Sequence, residues 1–348
     1  MTTNTDSGFL DAAVGEAIDS LIQVEMRFAS GLPRGVIHRL YDAARDWQQA
    51  PLTLLAARAL LERVGKGDRV LIVTGAGAPP WLPHGETDGP LGAAALARAL
   101  DLGVGAKPIL VSEARNLPAI VASTEAAGLA VVTPEVFDAR GACATTEVFT
   151  LGENGPADAR ALLERHKPTA VIFVEKGGPN KHGVFHTITG SGRSREVMAS
   201  ADALADAARA AGVLTIGIGD GGNEIGFGKI ADKVAEIQLF GRKCACPCEG
   251  GVATVVETDI LVVAAISNWG AYGVVAALAI ALGRSDVLHS TADEARMLEY
   301  CVRLGAVDGI LARPIMGVDG TNAASQEALI VLLHNLVANA IGHQNRPF

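Results

Sequence analysis

Aromatic residues are scarce in this chain of 348 residues, basic runs are missing, and there are only five cysteines. Aromatics make up 4% of the sequence while Ala and Gly abound, so the core must be built from small and aliphatic groups, which favours close packing of helices on a sheet. The net charge is −9 and no Lys/Arg stripe is present, which argues against nucleic acid as a partner. The longest uninterrupted apolar stretch in a helical candidate, Val274 to Leu282, is far short of the roughly 20 residues that span a bilayer, so no membrane partner is expected. The start, Met1-Thr-Thr-Asn-Thr-Asp-Ser-Gly8, is polar, and its only ionised side chain is acidic. It reads as neither a signal peptide nor an Arg-rich transit peptide, and the expected location is the cytoplasm. No Walker A loop, Gly-x-Ser-x-Gly elbow or His-Glu-x-x-His occurs, which argues against an NTPase, a serine hydrolase and a zincin.

Cys143 and Cys301 stand alone in apolar stretches and read as ordinary buried thiols. Cys244, Cys246 and Cys248 form Cys-Ala-Cys-Pro-Cys, which is not the Cys-x2-Cys knuckle of structural zinc, and no second pair follows. The cluster reads as a reduced loop whose path is fixed by Pro247 and Gly250-Gly251, with a soft-metal or redox role as the alternative.

Hydrophobic residues reach 49%, as in a chain that folds around a core. Residues 1–65 read as a helical N-terminal appendage, with Leu10, Val14, Ala17, Ile18, Leu21 and Ile22 at helical spacing. Further helices are expected from near Pro33 through Leu40 and over Leu52 to Val64. Residues 66–348 read as an α/β domain. Strands are expected at Arg69–Thr74, Pro108–Val111, Leu129–Val132, Thr169–Val174, Val213–Ile218 and Asp259–Ala264, alternating with helical runs. Continuous apolar strands between helices indicate a doubly wound, mostly parallel sheet with helices on both faces.

The chemistry is concentrated in polar clusters that follow strands, where open α/β sheets place their sites. The most distinctive is Gly217-Ile-Gly-Asp-Gly-Gly-Asn-Glu-Ile-Gly-Phe-Gly228, half glycine, with Asp220, Asn223 and Glu224 among the glycines. Such a loop turns sharply or lets something approach closely. After the first strand, Gly75-Ala-Gly77 lacks the third glycine of a dinucleotide fingerprint, and no nucleotide cofactor is expected. His84, Glu86 and Asp88 follow in the same segment, with Asp88 readable as a helix cap. Glu175-Lys-Gly-Gly-Pro-Asn-Lys-His-Gly-Val-Phe-His186 follows another strand and carries cations and imidazoles suited to carboxylate binding or acid–base work. Ser267-Asn-Trp-Gly270 offers an amide from Asn268, a flat wall from Trp269 and a helix N-terminus as an anion site. Val307-Asp-Gly309 and Val318-Asp-Gly-Thr321 form a fifth, weaker candidate, with plain turns at both Asp-Gly pairs as the alternative. Glu86, Asp88, Glu175, Asp220 and Glu224 supply enough hard oxygen ligands for Mg or Mn, with histidine assistance favouring Mn.

Taken together, the segments Thr87-Asp-Gly-Pro-Leu-Gly-Ala-Ala-Ala-Leu-Ala-Arg98, Glu175–Lys181 with Gly183–His186, and Ile218–Gly226 resemble the D-glutamate cyclase C-terminal-like family, over roughly residues 30 to 340. The resemblance implies intramolecular dehydration of D-glutamate, or a related amino acid, to 5-oxo-D-proline. In the animal enzymes the corresponding region follows a hydro-lyase-like domain, and nothing like that domain is expected here. Ring closure needs a neutral amine, for which His186 or His182 would be the base. It also needs a polarised carboxyl group, through a divalent cation held by Glu86, Asp220 and Glu224 or through Lys176. Glu175 joins the catalytic candidates. Gly221, Gly222, Asn223, Asn180, Asn268, Trp269 and Asp88 are the candidates for binding substrate, with the amides of residues 219–222 facing the developing oxyanion. Two rival readings are a hydrolase opening a lactam or amide, and a non-catalytic module binding a nucleotide or small anion. The expected partner is a small amino or oxo acid, and a homo-oligomer is compatible with the sequence.

Overall fold

The computed structural model describes residues 10–26, 33–152 and 154–342. The polar segment Met1–Gly8 lies outside them. In chain order the strands are β1 (Arg69–Val73), β2 (Lys107–Ser112), β3 (Ala130–Val131), β4 (Cys143–Val148), β5 (Ala170–Val174), β6 (Phe185–His186), β7 (Gly192–Arg193), β8 (Leu214–Gly219), β9 (Ile260–Val263), β10 (Gly317–Val318) and β11 (Thr321–Asn322). Seven of them form one parallel sheet in the order β3-β4-β2-β1-β5-β8-β9. The pairs β6/β7 and β10/β11 are short antiparallel hairpins.

The expected α/β architecture is therefore the observed one, with buried strands and helices on both faces. Alternate residues of β1 enter different cores. Val70 and Ile72 pack with the helices Pro90–Val104 and Ser267–Leu282, while Leu71 and Val73 pack with Gly155–His166 and Ala201–Ala210. That is the period-two alternation of a strand sandwiched between two helical layers. Pro90 starts the first of these helices, where a missing N–H costs nothing, and left-handed Gly105 ends it by donating to Asp101 O. Ser290 and Asp293 form a capping box at the start of Thr291–Arg303. Helix Ala323–Ile341 is long and apolar enough to cross a membrane by length and composition. Here it buries Leu329, Ile330, Leu333 and Val337 in the main core.

The three N-terminal helices, Ala12–Ile22, Val36–Gln48 and Leu52–Arg63, share that same core. Asp19 fastens them together. Its buried carboxylate accepts from Tyr41 Oη at 2.8 Å, Leu52 N at 2.6 Å, Thr53 N at 3.2 Å and Thr53 Oγ1 at 2.5 Å. Gln48 caps the edge of the sheet: its side chain donates to Leu261 O at 2.7 Å and accepts from Leu261 N at 3.0 Å. An open strand edge is thereby closed to other strands.

The chain runs outward from β1 to the β3 edge, then crosses to β5 on the other side of β1. This switch of direction opens a crevice at the carboxyl ends of β1, β5 and β8, where open α/β sheets bind ligands.

Candidate active site

Loops leaving β1, β5 and β8 enclose a cavity of about 470 Å³ over that crevice. Glu86, Glu175, Asp220, Glu224 and Asp319 line it, together with His186 and Arg193. Trp81, Leu82, Phe185, Ile188 and Met198 supply apolar walls.

The glycine loop lies as its composition requires. A Cβ on Gly217 would sit 2.3 Å from Ile225 O, so the returning backbone can lie on the strand only because that position is bare. Gly222 has φ +103°, where an L side chain is strained. The loop folds around Glu224, whose carboxylate accepts from Gly222 N at 2.8 Å and Gly221 N at 3.2 Å. Those two amides, expected to face an oxyanion, are thus occupied by the protein's own carboxylate. Gln238 donates to Gly221 O, and Asn223 Nδ2 ties the loop to His186 O at 3.1 Å.

Glu175 is held in an unusual conformation and environment. Its φ of +48° puts a non-glycine residue in the left-handed region at the end of β5, a conformation that persists only when the surroundings enforce it and that clusters at functional sites. Ser267 Oγ donates to Glu175 Oε2 at 2.5 Å. Burial first, then the charges of Asp220, Glu224, Asp88 and Glu86, hold its carboxyl well above the ordinary range. Glu86 is raised in the same way, by burial and then by Asp319, Asp88, Asp308 and Glu224. One oxygen from each of Asp88, Glu175 and Asp220 lies within 4.8 Å of the others, a hard-oxygen set of the kind that takes Mg or Mn. Protons on Glu86 and Glu175, or a cation among these three, relieve the repulsion.

Glu86, Glu175, His186, Asp220, Gly221, Asn223 and Glu224 thus meet on the cavity, as expected of them. Other candidates sit elsewhere. Lys176 is fully buried and donates to Glu113 Oε2 at 2.6 Å and Gly75 O at 3.0 Å. It tightens the loops beneath the cavity and does not line it. His182 is exposed. Asn180 is buried and organises its own turn, accepting from His182 N at 2.9 Å and donating to Gly251 O at 2.8 Å. Trp269 is in the core, with Nε1 donating to Gln326 Oε1 at 2.7 Å. Gly222 backs onto Val234. Asp88 and Asn268 lie behind the cavity, and the anion at the Ser267–Leu282 N-terminus is Asp88 itself, accepting from Ser267 N at 2.9 Å and Asn268 N at 2.8 Å. Asp88 is a helix cap, though of a distant helix and not of the one that follows it.

Sequence reading passed over Arg193 and Glu113, and held Asp308 and Asp319 only as a weaker candidate or plain turns. Arg193 lies in a two-residue strand with no pattern of its own. Asp308 behaves as the turn residue expected, accepting from Ile310 N, Leu311 N and Gly320 N. Asp319, at φ +50°, faces the cavity instead.

His186 Nε2 points to a second cluster. It lies 3.3 Å from Cys246 Sγ and 3.5 Å from Cys248 Sγ, and Cys244 completes the group. Burial lowers the basicity of this imidazole.

Residues 24–334 match a family described as D-glutamate cyclase-like, C-terminal. The human mitochondrial D-glutamate cyclase is 29% identical over 252 residues, which cover 71% of this chain and 36% of that protein. The chain thus aligns with little more than a third of the length of this curated relative. With most of its length matched, and the crevice built from the same segments that carried the resemblance, the chain belongs to the D-glutamate cyclase-like, C-terminal family.

Proposed function

We propose that the protein is a hydro-lyase that closes D-glutamate, or a closely related amino acid, to 5-oxo-D-proline with release of water. The observation that carries this reading is Glu175: strained, desolvated, raised in pKa and set beside Asp220 on the cavity. A carboxyl group whose ionisation is opposed by burial and by neighbouring carboxylates is suited to donate a proton to a group beside it.

In the reaction, the neutral α-amine attacks the γ-carboxyl carbon. A C–N bond forms, a C–O bond breaks, and the departing oxygen leaves as water. Counted from the substrate's ammonium and carboxylate forms, nitrogen gives up two protons and the departing oxygen gains two. Asp220 takes those from nitrogen, and Glu175 in its protonated form donates to the oxygen. The protons held by Asp220 pass on to re-protonate Glu175 and complete the water, so both side chains end as they began. Asp220 is assigned this role in preference to His186, whose Nε2 faces Cys246 and Cys248. Arg193 is the cation on the cavity wall suited to pair with the substrate α-carboxylate. The apolar walls hold the chain folded for five-membered closure, an orientation effect. A divalent cation on Asp88, Glu175 and Asp220 would polarise the γ-carboxyl in place of the Glu175 proton. A small amino-acid substrate and a cytoplasmic location, with neither nucleic acid nor membrane as partner, complete the reading.

The test is conversion of D-glutamate to 5-oxoproline by the purified chain, with and without added Mg or Mn and with EDTA. Lactam opening by the same groups is the rival reaction. Turnover of 5-oxoproline or other lactams without any cyclisation would favour it.

A further inference from the structure

We propose that His186, Cys244, Cys246 and Cys248 form a closed zinc site, of three thiolates and one imidazole, that fastens one wall of the cavity. Cys244 and Cys246 sulfurs are 3.5 Å apart, Cys244 and Cys248 3.3 Å, and Cys246 and Cys248 3.4 Å. With His186 Nε2 at 3.3 and 3.5 Å from two of them, and all four donor atoms within 4.8 Å of one another, the group is compact enough to surround one ion. Zinc–sulfur bonds of about 2.3 Å and zinc–nitrogen bonds of about 2.0–2.1 Å require edges of about 3.8 Å between sulfurs and about 3.5 Å between sulfur and nitrogen. The observed sulfur–sulfur edges are shorter and the sulfur–nitrogen edges close to these lengths, so a modest expansion of the sulfur triangle would seat the ion. The same sulfur separations are far longer than the roughly 2.05 Å of a disulfide.

The surroundings fit a metal thiolate. Gly250 N donates to Cys248 Sγ at 3.4 Å, and Asn180 Nδ2 reaches the same sulfur at 3.5 Å. These donors stabilise negative sulfur and orient the ligand, as outer-shell partners of metal sites do. Cys244 is buried while Cys246 and Cys248 are partly exposed, which leaves an entry path. The donor set is soft sulfur and imidazole, which selects zinc over the Mg or Mn suited to the carboxylates. Four protein ligands leave no open position, so the ion is structural.

The ligands join two pieces of chain. His186 belongs to the β6/β7 hairpin, which lines the cavity through Phe185, His186 and Arg193. The cysteines belong to the loop that packs beneath it, where Ala245 N donates to Gly190 O at 3.0 Å and a Cβ on Gly192 would touch Cys246 Sγ at 3.1 Å. Zinc would therefore hold the hairpin, and with it Arg193, against the body of the protein.

The test is metal analysis of the purified full chain after exhaustive dialysis, together with cobalt exchange. About one tightly held zinc per chain is expected. Cobalt should give the intense thiolate charge-transfer and tetrahedral d–d absorption of a site with three sulfur ligands and one nitrogen, a readout on the unaltered protein that needs no variant to fold. Cys248→Ser should lose the zinc and lower Tm, whereas Cys301→Ser and Asp220→Asn should keep it. Retention in Asp220→Asn separates this site from the carboxylates, and the outcome is independent of whether D-glutamate is turned over. Zinc absent from a well-folded protein that also fails to develop the cobalt spectrum would overturn the proposal. So would a mass two hydrogens short, marking a disulfide, or zinc retained unchanged in Cys248→Ser.

Discussion

Asp88 and Asn268 cap each other's helices. Asp88 accepts from Ser267 N and Asn268 N at the start of Ser267–Leu282. Asn268 Oδ1 accepts from Gly89 N at 2.9 Å and Gly92 N at 2.7 Å at the start of Pro90–Val104, while its Nδ2 donates to Thr87 O at 2.9 Å. Two helices in closest contact, with Gly92 allowing the approach, are thereby locked in register directly behind the cavity. Asn268→Ala and Asp88→Ala should each cost about 1–3 kcal/mol, because buried N–H groups lose their acceptors. Urea unfolding of the singles and the double should show the double costing less than their sum, since both act on one network.

Glu113 and Lys176 form a buried ion pair under the β1 and β5 loops. Burial alone would raise the Glu113 carboxyl, but the Lys176 charge and hydrogen bond, with the Ala199 amide, outweigh it and the net shift is downward. Its contribution to stability is therefore complete above the ordinary glutamate value of 4.5 and is lost as pH falls through the depressed native value. Glu113→Gln should flatten this part of the acid limb of stability. At neutral pH it should cost about 3–5 kcal/mol by leaving Lys176 buried without its anion. Removing both charges, in Glu113→Gln with Lys176→Met, should be milder than either single change. Chemical denaturation across pH 3 to 7 (roughly the carboxyl range) provides the measurement.

Gly309 lies against Glu86. A Cβ there would fall 2.0 Å from Glu86 Oε2, so Gly309→Ala should push that carboxylate aside. Because the displaced atom ends a flexible side chain, stability should fall by less than about 1.5 kcal/mol. Activity should fall at least about tenfold, an amount equivalent to 1.4 kcal/mol at the transition state. Equal turnover in the variant would show that the placement of Glu86 on the cavity wall does not affect the reaction.

The architecture was readable in the sequence because buried parallel strands are continuous apolar runs and helices carry caps. β1, β5, β8 and β9 were expected to within a residue at each end. β4, which reads Cys143-Ala-Thr-Thr-Glu-Val148, was missed: toward the edge of the sheet it is partly exposed and lacks the apolar run of its neighbours. The short helices Pro134–Ala139 and Ala231–Ile237 were too brief to show a period. At the site, acids on loops after strands could be recognised by type and place. The partners of Lys176, Trp269 and Asn268 could not, since Glu113, Gln326 and the Gly89 amide lie far away in sequence. Nor could the meeting of His186 with the three cysteines, which begins 58 residues downstream of it, at Cys244.

The N-terminal helices are expected to be required for folding. Asp19→Ala removes the acceptor of four buried donors and should cost about 3 kcal/mol or more, from donors left unpaired at roughly 1–3 kcal/mol each. A fall in Tm without loss of cooperativity would show that residues 10–65 unfold with the rest. Two separate transitions would show that they are independent.

The central claim rests on Glu175 as the proton donor for ring closure, and the most direct measurement compares wild type with Glu175→Gln in the conversion of D-glutamate to 5-oxoproline. The account predicts turnover by wild type and a fall in kcat of about 10²–10⁴-fold in the variant, the usual contribution of a general acid, with Tm little changed. A folded wild-type protein that closes neither D-glutamate nor a related amino acid under any metal condition, or a Glu175→Gln variant as fast as wild type, would contradict it.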